Sequence, residues 1–465
     1  MMQATSSRDS AEAPPVVRSG LPKLGPIIAF GRDPIGFLQK CRARHGEVFT
    51  IDFLLYKLTL LTGEAGQSQF FRARDEELHL GEAMDQFVGG VLGLDIYAGL
   101  GEDQIKWAND MLRRGLMSED ALTFYLEQIQ IEERQAFARW ASLGTIDLFP
   151  EISRLVTRAN LRCFLGEDAL ARFGDELAAS YLDIERDGTS PLAMMAPRLP
   201  SPPVRRAAAA RRRIRAIIEE LVAMRSALPA AVQAQRRDYL QLWLDGGIRD
   251  RGEVGLRHVL IHWLSVLFAA HTNTVGTMAW TLVRLLQNPP VLAKVMAEQE
   301  SFFAVPAPIS HSRLKELKYL DACMKETARQ FFTLLLVRRA RRATRFGRFT
   351  VPAGRLVGVS PILFHRDAQI YPQPEQYQPE RWLDDDRRRE LTSRNLFVQF
   401  GYGQHRCLGE MFANTMLKTT WSLLLRDHRL TLRAPDPQPD WTKAVGTPFS
   451  AGPLLVRCEP RPPSA

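Results

Sequence analysis

FGYGQHRCLGE, residues 400–410, runs straight into a helical pattern and decides how the rest of the chain is read. Phe400, Gly403, Cys407 and Gly409 fit the pattern F-x-x-G-x-x-x-C-x-G, a match that chance produces with a probability on the order of 10⁻³ in a chain of ordinary composition. A free cysteine is most often a small buried hydrophobe. Here glycines on both sides of the sulfur let backbone approach it closely, because they carry no Cβ. Loop N–H groups and the N-terminus of the following helix stabilise negative charge on sulfur, and Phe400 shields it and lowers the local dielectric. These are the requirements of a thiolate facing iron. Cys407 is therefore expected to be the axial ligand and metal-binding residue of a haem b, its thiolate pushing electron density into the iron.

The rest of the composition narrows the class. The 465 residues carry 61 − 52 = +9 formal charges, and the arginines cluster near 204–215, 338–348 and 386–394. Such surfaces attract acidic proteins, nucleic acid or anionic lipid. No interleaved aromatic–basic tract or nucleic-acid module is present, so nucleic acid is not expected and an acidic protein partner is. The five cysteines, Cys41, Cys163, Cys323, Cys407 and Cys458, form no C-x-x-C pair and are odd in number, against both a disulfide framework and a zinc site. No run of about 18 apolar residues and no N-terminal apolar h-region is found, so no membrane span and a cytoplasmic location are expected.

Periodicity predicts one mainly α domain with a small β part. Residues 1–20 read as a disordered lead and 21–465 as a single domain, with no internal repeat or linker. HGEVFTIDFLLYKLTLLTG, 45–63, reads as a hairpin, and 102–182 as mostly helical. A Pro/Gly-rich loop at 187–204 precedes a basic helix at 205–227. Residues 253–287 are apolar on nearly every face and predict a helix through the core, ended by Pro289 and Pro290. Another helix is predicted at 311–331, β structure at 345–363, a loop at 366–406, and a helix at about 407–425.

Two further motifs precede the cysteine loop. ETAR, 326–329, places Glu326 and Arg329 one turn apart on one helix face, and PERW, 379–382, offers Arg381 as a third partner. An isolated E-x-x-R is usually a solvated ion pair. The order E-x-x-R, then P-E-R-W, then the cysteine loop makes this chain resemble the cytochrome P450 family, from about residue 20 to 457. The resemblance implies a haem-thiolate fold in which the Glu326–Arg329–Arg381 triad is structural.

Within that family the chain is most similar to the sterol 14α-demethylases, through 19–49, 280–282, 359–382 and 400–422. By that matching Arg339, Arg113, His405 and Tyr97 fall where family members contact haem propionates. The resemblance also implies dioxygen as co-substrate and, with no Rossmann fingerprint or fused reductase in the chain, a separate acidic redox partner of ferredoxin or flavodoxin type. Arg406, Arg113 and Arg114 are candidate docking contacts.

The central helix departs from the family. Most family monooxygenases carry A-G-x-D/E-T there, and the sterol demethylases A-G-x-H-T-S; this chain reads Ala269, Ala270, His271, Thr272, Asn273, Thr274. Asparagine in that register resembles cholesterol 7α-hydroxylase, sterol 12α-hydroxylase and prostacyclin synthase. Asn273, Thr272, Thr274 and His271 are the catalytic candidates. Asn and Thr can position a water, but with no acid in the motif a proton must come through water or substrate. The front signature differs too: Met84 stands where the sterol demethylases have Tyr, and Gly90 where they have Pro. A small apolar substrate, steroid- or terpenoid-like, is expected, with Met84, Phe87, Phe268, Ala269, Met194 and Met195 lining its pocket. Three functions stay open: an oxygen-inserting monooxygenase, an isomerase or peroxide-using enzyme on the same scaffold, and a haem-based sensor.

Overall fold

The helix Gly252–Gln287 organises the computed structural model, which describes residues 12–18, 24–93, 102–190, 193, 194, 196, 198–433, 436–442 and 446–462. Trp263, Leu267, Val275, Met278 and Leu282 on this helix are buried among side chains of the largest apolar cluster. The helix packs against Leu148–Leu165, against the triad helix Lys318–Gln330 and against Glu410–Asp427, which follows Cys407. Among the described residues it is also the one helix long and apolar enough to cross a membrane, and most of it is enclosed by protein. Core packing accounts for its apolarity. Pro289 and Pro290 end it and open the next helix, Pro289–Ala304, where a missing N–H costs nothing.

The predicted hairpin forms between Val48–Asp52 and Lys57–Leu61. It continues into a five-stranded sheet: Lys57–Leu61 pairs in parallel with Leu356–Val359, which pairs antiparallel with Leu336–Ala340, which pairs antiparallel with Leu78–His79. Alternation along Leu336–Ala340 sends Arg338 and Arg339 to opposite faces.

Three expectations need correction. Residues 12–18, assigned to a disordered lead, lie along the sheet: Thr50 N–H donates to Pro15 O and Val17 N–H to Thr50 O, both at 2.8 Å, and Val17 is buried. Pro14 and Pro15 hold this edge extended with no donors to lose. The helix expected at 311–331 begins at Lys318, after a 3₁₀ turn at Arg313–Glu316. The stretch 366–406 is not all loop: Asp385–Ser393 is helical, capped by the Asp384 carboxylate, which accepts from the N–H groups of Asp386 and Arg387. Its arginines pair one turn away, Arg388 with Asp385, Arg389 with Asp386 and Arg387 with Glu390. One buried residue, Leu391, gives this helix no apolar stripe to be recognised by.

Candidate active site

Four of the five cysteines are buried; Cys407 is exposed. The loop that presents it closes on itself through the Cys407 N–H, which donates to Phe400 O at 2.8 Å. Gly403 turns in the left-handed region at φ 68°, and a Cβ there would stand 2.6 Å from Phe71 O. The close approach at Gly403 is thus made by another backbone segment. Gly409, immediately before the helix Glu410–Asp427, would bring a Cβ no nearer to Sγ than 3.8 Å. Although the residue is exposed, protein atoms crowd its sulfur, and that desolvation raises the thiol above its ordinary range; the Gly409 N–H bonded to sulfur and the Arg406 charge oppose the rise, and Glu410 adds to it. Outside the loop a cavity of about 590 Å3 is lined by Phe400, Tyr402, Arg406, Lys325, Arg388 and Arg389, among others.

The triad forms as expected. Glu326 and Arg329 are fully buried, with Arg329 Nε and Nη2 donating to the two carboxylate oxygens at 3.0 and 2.8 Å. Arg381 Nε reaches Glu326 Oε1 at 3.2 Å, Trp382 Nε1 donates to Oε2 at 2.8 Å, and the Gln378 N–H donates to Oε1. The rest of the Arg329 fork is spent on His365 O and Pro374 O. A buried ion pair survives only when its remaining donors and acceptors are used, and here they are.

The central-helix motif brings in a residue that the sequence did not point to. Glu185, on Glu167–Gly188, places Oε1 3.0 Å from His271 Nδ1 and accepts the Thr272 hydroxyl and, at 3.4 Å, the Tyr181 hydroxyl. His271 Nε2 lies 3.0 Å from Ser153 Oγ. Burial pushes Glu185 up, but His271, Thr272 and Tyr181 outweigh it and hold the carboxyl below its ordinary range. A carboxylate from a neighbouring helix thus meets a motif that carries none of its own. Thr272 donates to this carboxylate in place of a carbonyl of its own helix, and Thr274 is buried.

Asn273 and Ala269, one turn apart, are exposed, although His271 and Val275 between and beside them are fully buried. With half-buried Phe268 and Thr272 they form one open face on a core helix. Asn273 Oδ1 accepts from Thr447, from its N–H at 3.0 Å and its hydroxyl at 3.4 Å. Two turns on, Trp280 Nε1 donates to Pro448 O at 2.7 Å. Between them the loop rests against Gly276, where a Cβ would meet Thr447 Cγ2 at 2.5 Å.

The other candidates divide. His405 lies within the cysteine loop, its Nε2 2.9 Å from Asp75 Oδ1. Burial and the Arg338 charge lower its pKa, against Asp75. Arg338, buried and donating to Phe70 O and Ala73 O at 3.0 Å, is the strand arginine on this side. Arg339 turns the other way, to Gly354 O at 2.9 Å and Glu82 O. Arg113 is exposed and 4.0 Å from Asp110. Phe87 is half-buried against Tyr56, ring centroids 5.8 Å apart, and Met84 and Met194 are half-buried. Tyr97 and Met195 lie outside the described residues.

An exposed cysteine with an N–H on its sulfur, cationic Arg338 and the ring N–H of His405 suited to carboxylates, and an open helix face fit a haem held through cysteine. Fold and site together define the haem-thiolate class. The cytochrome P450 family model matches residues 14–453, and the chain belongs to that family of haem-thiolate monooxygenases. It is 30% identical over 98% of its length to a cytochrome P450 monooxygenase of Aspergillus violaceofuscus, covering 92% of that protein. It is 29% identical to the obtusifoliol 14-alpha demethylase of Triticum aestivum, covering 93% of this chain and 95% of the other. It is 28% identical to the sterol 14alpha-demethylase of Mycobacterium tuberculosis, covering 92% and 93%. Among solved structures, cyanobacterial CYP120A1 bound to retinoic acid superposes with a TM-score of 0.78 at 21% identity, covering 97% of this chain and 100% of that one, which shows a shared fold.

Proposed function

We propose that this chain inserts one oxygen atom from dioxygen into an apolar, steroid- or terpenoid-like substrate, using electrons from a separate acidic partner of ferredoxin type. The observation that carries the reading is the open face of Phe268, Ala269, Thr272 and Asn273 on an otherwise enclosed helix, backed by the Glu185 carboxyl that accepts the Thr272 hydroxyl. Haem held by Cys407 supplies the oxygen-activating chemistry. The protein's own residues do the rest. The Gly409 N–H stabilises charge on sulfur, Arg338 offers its charge to carboxylates, and His405 can offer a ring N–H. Glu185 Oε1 accepts the Thr272 hydroxyl and, once it has taken up a proton from solvent, can relay one through that hydroxyl to the open face, the role of a positioned general acid–base pair. The cavity outside the cysteine loop carries Lys325, Arg388, Arg389 and Arg406, each paired with a carboxylate, so the preference for an acidic partner rests on the chain's net charge of +9. The similarity to sterol 14-demethylases supports a steroid-like ligand class.

Turnover of the haem-loaded protein with a library of sterols and terpenoids tests this. Product that requires reductant, a ferredoxin-type partner and dioxygen together supports it. Product formed without electrons overturns it in favour of an isomerase.

A further inference from the structure

We propose that Asn273 is a specificity residue whose amide is turned by Thr447 so that its N–H groups, and not its oxygen, face the pocket, selecting apolar substrates that carry an acceptor oxygen such as a ketone or ether. This rests on the reading that the open helix face borders the substrate pocket.

An asparagine side chain can present oxygen or nitrogen, and only its partners decide which. The Thr447 backbone N–H can only donate, so the atom facing it at 3.0 Å is the acceptor, Oδ1. The Thr447 hydroxyl approaches the same oxygen. The opposite orientation would set donor against donor. Gly446 makes the approach possible: it lies at φ 97°, and a Cβ there would stand 2.6 Å from Oδ1. The close packing of Thr447 on Gly276 and the bond from Trp280 to Pro448 O hold the loop along the same side of the helix. Asn273 therefore cannot flip without displacing the loop.

Nδ2 is the atom left over. It meets no acceptor among the described residues, on a residue that is exposed while its helix neighbours are enclosed. The other hydroxyl on this face, that of Thr272, spends its hydrogen on Glu185. Phe268 and Ala269 are apolar. A ligand seated here that offers no acceptor strands the amide hydrogens, and a site built around a donor rejects the analogue lacking its partner.

The test uses the full-length haem-loaded protein and two ketone–hydrocarbon pairs: 5α-androstan-17-one with 5α-androstane, and 6,10-dimethylundecan-2-one with 2,6-dimethylundecane. Binding is read by equilibrium dialysis and by the haem absorbance shift. The expected result is about 10- to 100-fold tighter binding of the ketone in whichever series binds. Asn273→Leu should abolish the preference. Asn273→Asp keeps an oxygen for Thr447 but turns the free atom into an acceptor. It should lose the ketone preference and retain 5α-androstan-17β-ol, which can donate to it. The two variants differ in bulk and charge, so failure of one to fold leaves the other. A wild type without ketone preference, or a folded variant that keeps it, overturns the inference while leaving the substrate class intact. Binding of neither series overturns the substrate reading and this one with it.

Discussion

Glu326 and Glu185 are both carboxylates drawn into the core by bonds across helices, and they are finished differently. Glu326 is wrapped: five donations, from Arg329, Arg381, Trp382 and Gln378, use its oxygens, and no part of it meets solvent. Glu185 gathers its three contacts on one oxygen, keeps 15% of its side chain exposed, and holds a hydroxyl that belongs to an open helix face. A saturated cluster has nothing left with which to react, and its strength is architectural. A cluster that keeps a titratable acid within reach of open space retains chemical capacity and stores less stability. Glu133 is a third kind, fully buried with one oxygen accepting from Thr420 and the other unpartnered. Burial raises its pKa to about 8, against the Thr420 bond and Arg134.

Four substitutions break or sharpen this contrast. Glu326→Gln leaves Arg329 buried without its counter-charge and should cost about 3–5 kcal/mol, seen as a large loss of soluble, haem-loaded protein; a mild shift in thermal unfolding would sink the architectural reading. Glu133→Gln should stabilise. A carboxyl whose folded pKa is raised loses stability as pH climbs from its ordinary value of 4.5 to about 8. The variant's advantage should thus be absent at pH 4 and on the order of 4 kcal/mol at pH 8, measured by denaturant unfolding across that range. Glu185→Gln should slow turnover by about 10- to 100-fold, with a change in unfolding free energy far smaller than that of Glu326→Gln. Its pH signature has the opposite sign to that of Glu133. The depressed carboxyl contributes stability above its ordinary range and loses it as pH falls through the folded pKa, so the variant should show a flatter acid limb. Ser153→Ala removes one bond to His271 and should cost only about 1 kcal/mol, with turnover changed less than by Glu185→Gln.

What could be read from the chain followed the reach of each interaction. The triad was legible because Glu326 and Arg329 are neighbours on one turn and Trp382 sits beside Arg381, so local spacing carries the geometry. The cysteine loop was legible for the same reason. Glu185 was not, because its contact with Thr272 spans 87 positions and its helix shows an ordinary amphipathic pattern. The choice between Arg338 and Arg339 depended on which face of a strand meets the loop, which is set by pairing with Leu356–Val359 rather than by residue type. Asn273 was visible in the same limited way: its residue type could be read, while Thr447, whose N–H meets its amide oxygen, lies in a loop with no helical or strand period.

The contact between Gly276 and Thr447 carries a consequence for descent. A methyl group at position 276 collides with the threonine side chain, so in any lineage that keeps this loop in place the two sites cannot drift separately. A larger residue at 276 has to arrive with a smaller one at 447, or after it. Relatives that preserve the pair should share the amide orientation at 273, and those that have exchanged it should show their altered ligand preference first as a paired change in the two codons.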